Sequence, residues 1–238
     1  MVGAMNDVLL DNQLAFLRHH RGHITTTEGG YTVQSARPEF TYAIALRDAV
    51  LDPALAVVHR PEHSAAPVSR LEAAGFRRIA AVRTMTRPVG SAALVPAAIP
   101  VDVVTDLAGA DTFSDVQTRG FFDREEDQRE WSPFMRDAAR RNVGAKDQAF
   151  FLARCDGEPA GVTLTVSTEV VGVYAVATPR AFRRRGIATA LLEAALGHAA
   201  AAGSRLATLQ VAVGSDAERL YTRLGFEPAF VTDVWRRA

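Results

Sequence analysis

A chain of 238 residues with 48% hydrophobic and 23% charged side chains has the makings of one large globular domain or two small ones. Its 27 basic residues balance 27 acidic ones, and a net charge of zero argues against a dedicated nucleic-acid binder. Cys155 is the only cysteine, which excludes an intrachain disulfide.

The opening "MVGAMNDVLLDNQ" has no basic segment followed by an apolar run, and no stretch reaches bilayer length. Together with the lone cysteine, this predicts a cytoplasmic protein with no membrane partner. "DVLLDNQLAFLRHH" (7–20) reads as an amphipathic helix, and His19 and His20 suit the negative end of its dipole. "EFTYAIALRD" (39–48) and "PALAVVHRP" (53–61) read as strands. His59 and His63 are spaced like metal ligands on a helix, but Pro61 stands between them, so no metal is expected. "SRLEAAGF" (69–76) reads as a short helix stopped at Gly75, with a strand running on to 87. The stretch 86–100 holds three prolines among small residues and reads as a boundary. The expected domains are 1–90 and 101–238, with 91–100 as linker.

The second part starts with a strand at 101–107. Residues 108–145 read as one or two helices broken at Pro133. Strands follow at 148–157 and 158–169, with Asp156-Gly157 as a hairpin turn. The nearly all-apolar "VVGVYAVAT" (170–178) reads as a central strand. A helix at about 186–202, ended by Gly203, presents Leu191, Leu192 and Leu196 on one face. After a strand at 205–213, Ser215 or Asp216 caps a short helix that Gly225 stops, and "FEPAFVTDVWRR" closes the chain as a strand. The closing helix–glycine–phenylalanine–strand pattern of 218–236 repeats 69–87, so the first part is a degenerate copy of the second. The copy has no room for a long helix between its strands at 39–48 and 53–61.

The chemistry concentrates in "RAFRRRGIATALL" (180–192). Arg183, Arg184 and Arg185 crowd the start of a helix, where the dipole is already positive, and a bound anion would resolve that conflict. A strand, a basic glycine loop and a helix N-terminus form a recipe for a diphosphate pocket, with Gly186 allowing close backbone approach. The loop is neither a Walker loop nor a Rossmann fingerprint. As bland readings, a solvated surface loop or a nucleic-acid patch fits the same arginines. Cys155, beside a turn and without a paired base, reads as a packed side chain rather than a nucleophile.

"VATPRAFRRRGIATALL", followed by a strand and "AERLYTRLGFEP", resembles the GCN5-related N-acetyltransferases over roughly residues 100–238. The family signature Arg/Gln-x-x-Gly-x-Gly/Ala stands here as Arg183-Arg184-Arg185-Gly186-Ile187-Ala188. The resemblance implies a mixed, mostly antiparallel sheet flanked by helices, an α/β fold of tandem form with a degenerate first half. It implies that the turn Arg183 to Thr189, including Ile187 and Ala188, binds the diphosphate of acetyl-CoA. The main chain of Val176, Ala177 and Thr178 would meet the pantetheine arm and thioester. Tyr221, ahead of Gly225-Phe226, would protonate the departing thiolate; the first half has Leu71 there. Relatives carry an asparagine where Gly214 stands, and some carry a carboxylate near Gly172. The base is thus left among Glu169, Asp123, Glu125, Glu126 or a water chain.

The resemblance therefore implies transfer of acetyl to a small-molecule amine or a peptide N-terminus, without metal or nucleic acid. Acyl chain length and homodimer formation stay open. A non-catalytic CoA-binding sensor or scaffold is the alternative. The polar "FFDREEDQREW" (121–131) is either a solvated helix face or a wall of the acceptor site.

Overall fold

The computed structural model describes residues 2–50, 52, 54–90 and 99–238. The linker expected at 91–100 lies outside the described residues except for 99 and 100. The chain divides into two compact units, Met1–Arg87 with Leu209–Ala238, and Pro88–Thr208. The last thirty residues thus group with the N-terminal stretch rather than with the residues that precede them.

In the first unit, α1 (Val2–His20) buries Leu9, Leu10, Leu14 and Leu17. A hairpin follows, β1 (His23–Thr27) and β2 (Gly30–Gln34), then β3 (Tyr42–Ala45) and β4 (Val57–Pro61). That hairpin has no counterpart in the sequence reading. Its apolar residues are only Ile24 on β1 and Tyr31 and Val33 on β2, too short a run to establish a period. A 3-10 turn occupies Pro38–Phe40, which shortens the strand expected at 39–48. α2 (Val68–Ala73) leads into the long β5 (Phe76–Pro88). The end of the chain adds α6 (Asp216–Arg223), numbered in chain order, and β11 (Glu227–Arg237).

The sequence repeat has a structural counterpart. β5 and β11, its matching strands, pair antiparallel from Phe76–Arg237 to Thr86–Glu227. β11 also pairs with β4, from Val57–Arg236 to Pro61–Thr232. The closing strand of the second copy therefore completes the first copy's sheet. Trp235 of β11 is buried in the cluster of Ala43, Ala45, Leu55, Val58, Ala66, Leu71 and Phe76.

In the second unit, β6 (Val101–Val104), β7 (Gln148–Cys155), β8 (Glu158–Ser167) and β9 (Val171–Ala177) pair antiparallel in order. The first residues of β10 (Leu206–Ala212) then add in parallel, Ala207 to Val171 and Thr208 to Gly172. Asp156 and Gly157 both take positive φ, 54° and 82°, as the expected two-residue hairpin requires.

α3 (Leu107–Phe121) and α4 (Glu125–Asn142) are separate helices, but the break falls at 122–124 and not at Pro133. Pro133 sits inside α4 on its exposed side, so the carbonyl of Arg129 that it leaves without an amide also faces solvent. α5 (Ile187–Ala201) buries Leu191, Leu192 and Leu196, as its spacing predicts. It packs on Phe151 and Ala153, while the ring of neighbouring Phe150 meets Phe113 of α3 at 4.9 Å. Adjacent strand residues point to opposite faces, so α3 and α5 cover opposite sides of this sheet.

Candidate functional site

The site is built where β9 runs into α5. β9 carries a bulge, because Tyr174 to Ala177 on β9 faces only Leu164 to Val162 on β8. At the bulge Ala175 takes φ 56°, which a non-glycine residue adopts only under local strain. Buried Thr163 donates its hydroxyl to Tyr174 O at 2.9 Å, compensating part of the disrupted ladder. The main chain of Ala175 and Val176 is thereby turned out of the regular pairing. Thr178, just past the strand, has a buried hydroxyl with no partner among the described residues.

After Pro179 the chain makes a 3-10 turn at Arg180–Phe182 and then needs two left-handed residues, Arg184 at φ 66° and Gly186 at φ 81°. Gly186 caps α5, and its carbonyl accepts from the amide of Ala190 at 3.0 Å. The amides of Ile187, Ala188 and Thr189 form the first turn, where a helix offers no acceptor. No side chain caps them, and no acidic residue lies in that turn. Donors and dipole together make a cradle for an anion.

Two other glycines hold the cradle in place. A Cβ on Gly161 of β8 would come within 2.4 Å of Ile187 Cγ2, so glycine admits the start of α5 to the sheet. A Cβ on Gly120 would come within 2.8 Å of Ala177 Cβ and 2.9 Å of Thr178 N, so the last turn of α3 lies directly on the end of β9.

The three arginines differ. Arg184 is exposed and has no partner among the described residues. Arg185 is exposed, with Nη1 3.6 Å from Cys155 Sγ and 3.7 Å from Asp156 Oδ2. These contacts are long and solvent-screened, so its guanidinium can turn to a stronger anion. Arg183 is committed: Nε donates to Thr178 O at 3.0 Å, and Nη2 to Gly120 O and Asp123 Oδ1 at 3.1 Å each. Sequence alone grouped all three as equivalent, since Gly120 and Asp123 lie some sixty positions away.

Val176, Ala177, Thr178 and 183–189 thus form one continuous segment of the second unit. Tyr221 belongs to α6 in the first unit. It is buried, with its ring edge-on to Phe226 at 6.0 Å, and no described residue engages its hydroxyl. Burial pushes its pKa up to about 12, so it holds a proton at neutral pH. Leu71, its counterpart in the repeat, lies in α2 with no polar atom to offer.

Among the carboxylates considered as base, Asp123 is bound to Arg183, Glu125 lies 3.5 Å from Arg129, and Glu126 pairs with Arg124. Gly172 is buried on β9, opposite Val166 and Thr208. His59 and His63 each pack on an aromatic ring, Tyr42 at 4.0 Å and Phe230 at 4.7 Å. Among the described residues no three metal-binding groups cluster, and no helix is long and apolar enough to cross a membrane.

The first copy treats the same place differently. β3 pairs with β4 in parallel, Ala43 to Val58 and Ile44 to His59, as β9 pairs with β10. Beyond that pairing, Ser64 Oγ donates to Ala45 O at 2.7 Å and the amide of Ala65 bonds Leu46 O at 2.9 Å. The loop after β4 thus folds back and occupies the end of β3. Arg60 fastens that loop, reaching Ala66 O at 2.6 Å and Ser64 O at 3.0 Å.

The acetyltransferase (GNAT) domain model matches residues 110–233. An uncharacterized N-acetyltransferase of Methanocaldococcus jannaschii is 32% identical over 100 residues, which are 38% of this chain and 44% of that protein. The match therefore spans less than half of that relative. Among solved structures, a GCN5-related N-acetyltransferase from Kribbella flavida superposes with a TM-score of 0.68 at 20% identity, covering 95% of this chain and 93% of that one. A tandem GNAT protein from the clavulanic acid biosynthesis pathway gives 0.55 at 17% identity, covering 76% of this chain and 63% of that one. The Kribbella likeness extends the shared fold through the first copy, and the domain match spans more than half of the sequence: the chain belongs to the GNAT acetyltransferase family.

Proposed function

We propose that this chain is an acetyl-CoA-dependent N-acetyltransferase that passes the acetyl group directly to an amine. The observation that carries the reading is the start of α5, whose uncapped amides at Ile187, Ala188 and Thr189 follow a left-handed Gly186. These amides, with Arg184 and Arg185, would hold the diphosphate. The bulged main chain at Val176, with Ala177 and Thr178, would meet the pantetheine arm and the thioester carbonyl. The amine nitrogen attacks that carbonyl, the carbon–sulfur bond breaks, the nitrogen sheds a proton and the sulfur gains one. Tyr221 is the proposed donor to sulfur, since its raised pKa keeps the phenol protonated.

In this reading 101–238 is the working domain, and 1–90 is a degenerate copy whose corresponding place is filled by its own loop. The acceptor is a small amine or a peptide N-terminus, and the protein acts in the cytoplasm. One observation favours the alternative of a CoA-binding sensor or scaffold: Asp123, Glu125 and Glu126 are each paired with an arginine, and Glu169 is exposed in the bend between β8 and β9.

Calorimetric titration with acetyl-CoA, followed by thiol release across a panel of amines, tests both. Binding with thiol release supports the enzyme, and binding without release for any amine supports the sensor. No heat with acetyl-CoA or CoA sinks both. In the active protein, Tyr221→Phe should lower kcat by roughly 10²-fold or more. Unchanged turnover in a chemistry-limited assay removes that role from Tyr221.

A further inference from the structure

The side chain of Arg183 faces away from the task that its place in the signature suggests. A guanidinium has five donors in a rigid fork. Three are spent on Thr178 O, Gly120 O and Asp123 Oδ1, at 3.0, 3.1 and 3.1 Å. A phosphate clamped bidentate through Nε and Nη2 would have to displace all three.

We propose that Arg183 is a positioning residue that fastens the α3–α4 link to the end of β9, and so shapes the approach of the acceptor amine rather than the grip on CoA. The proposal rests on the acetyltransferase reading above.

The three acceptors explain the assignment. Thr178 O belongs to the segment proposed to face the thioester. Gly120 is the contact of α3 with that segment, closer than any Cβ would permit. Asp123 lies in the short link at 122–124, which the amide of Phe122 ties to Thr118 O of α3 at 3.0 Å and whose described side-chain contacts, apart from those of Asp123, reach toward α4. There the carbonyl of Phe122 accepts from Gln128 Nε2 at 2.8 Å, and its ring stacks on Trp131 at 5.3 Å. Arg183 is the described side chain that ties this link back to β9. An amine reaching a carbonyl held at Val176 to Thr178 would approach a strand end on which Gly120 packs and beside which Arg183 holds Asp123.

The ion pair itself is not a stability device. Both side chains are about half exposed, 43% for Arg183 and 50% for Asp123, and such pairs contribute little to folding. Removing it should leave the protein folded and the link loose.

Arg183→Met, Arg183→Lys and Asp123→Asn in the full chain test this. Amide hydrogen exchange at 121–124 should quicken about tenfold or more in all three, with exchange at 190–199 unchanged. Acetyl-CoA affinity by calorimetry should stay within about threefold of wild type in Arg183→Lys and Asp123→Asn. With whichever of spermidine, lysine or tyramine releases thiol fastest, the amine KM should rise about tenfold and the acetyl-CoA KM should not. Lysine keeps the charge and three donors, but on one compact nitrogen it lacks the planar fork that spans Thr178 O, Gly120 O and Asp123 Oδ1, so it should fail to rescue the amine KM.

If Arg183→Met weakens acetyl-CoA binding as much as Arg184→Met and Arg185→Met do, and lysine restores it, Arg183 is a phosphate ligand and the inference is wrong. Unchanged exchange at 121–124 overturns it equally. A wild-type protein that shows no heat with acetyl-CoA overturns the acetyltransferase reading instead, and that outcome is distinct from both.

Discussion

β3 and β9 are counterparts in the repeat, and each pairs in parallel with the strand that follows the next connection. They end in opposite ways. β9 bulges at Ala175 and opens into a left-handed glycine and an uncapped helix N-terminus. β3 stops after four residues, and the carbonyls of Ala45, its last residue, and of Leu46 just beyond are taken by Ser64 and Ala65. Among the described residues, one strand end leads into backbone donors without a side-chain cap, and the other is bonded by its own loop. A polypeptide cannot keep unsatisfied buried groups at no cost, so the open end needs a ligand or solvent and the closed end needs neither. The first copy fills with its own loop the place that the second leaves open, so its substitutions should be read in stability and those of the second copy in binding and rate.

Leu71→Ala should give the largest effect. Leu71 is 2% exposed within an apolar cluster, and emptying such a site costs about 2–5 kcal/mol. Chemical denaturation should show that loss while acetyl-CoA affinity of the folded protein is kept. Tyr221→Phe should do the reverse. A Leu71 variant that stays stable but loses turnover would break the comparison.

His59 should give the next largest. Buried on β4 against Tyr42, it has its pKa lowered to about 4 by desolvation. The small cavity it borders is lined also by Leu10, Gln13, Ile44, Pro61, His63, Phe230 and Thr232, none of them a carboxylate. Below pH 6.5 the unfolded histidine takes a proton that the folded one refuses until about pH 4. Stability conferred by the neutral ring is therefore full above pH 6.5 and declines toward pH 4, by up to about 3 kcal/mol. Denaturation midpoints at pH 7 and 4.5 should differ strongly, and His59→Leu should flatten the dependence. Thr208 holds the matching place beside Gly172, so the second copy has no such acid sensitivity at that position.

Which of these features the sequence displays depends on how local their causes are. The Asp156-Gly157 turn, the glycine stops at 75, 203 and 225, and the leucine face of α5 each depend on a few neighbouring residues, and all were legible. Gly186 was legible as a backbone device because a glycine between a strand and a helix has few other uses. The sequence points to an α3–α4 break at Pro133 because proline is a strong local signal, but the break falls at 122–124, since the exposure that tolerates proline inside α4 is a tertiary fact. The hairpin at 23–34 is silent in the sequence because Ile24, Tyr31 and Val33 are too few to set a period among the threonines. The strand exchange and the three acceptors of Arg183 join residues far apart in sequence, so no motif announces them. Tyr221 was identified through the family motif, but its raised pKa comes from packing.

Ser64→Ala tests the closed end itself. The buried hydroxyl donates to Ala45 O and accepts from the amide of Ala66 at 3.0 Å, so alanine strands two backbone groups. A loss of about 1–3 kcal/mol is expected in denaturation, because the orphaned groups are costlier than the bond is favourable. Acetyl-CoA binding to the folded variant should not change. A variant that gained a second acetyl-CoA site would show that the loop is a removable plug, which would sharpen the contrast into a history.

The smallest effect concerns how the two copies start their short helices. α6 is capped by Ser215, whose hydroxyl accepts from the amide of Glu218 at 3.1 Å. Glu218 returns the favour not to Ser215 but to the amide of Gly214, and it also pairs with Arg83. α2 begins at Pro67 with no side-chain cap at all. Ser215→Ala should therefore cost about 1 kcal/mol, and Pro67→Ala far less through capping. The bond to Gly214, followed by that to Arg83, lowers the pKa of Glu218. A depressed carboxylate confers stability above its unfolded pKa and loses it as pH falls through the folded value, so acid should weaken α6 and leave the start of α2 untouched. Protection factors of the Tyr221 amide at pH 7 and 4, with the intrinsic pH dependence of exchange divided out, measure this, and because that helix carries the proposed proton donor, a loosened cap should lower kcat before the protein unfolds.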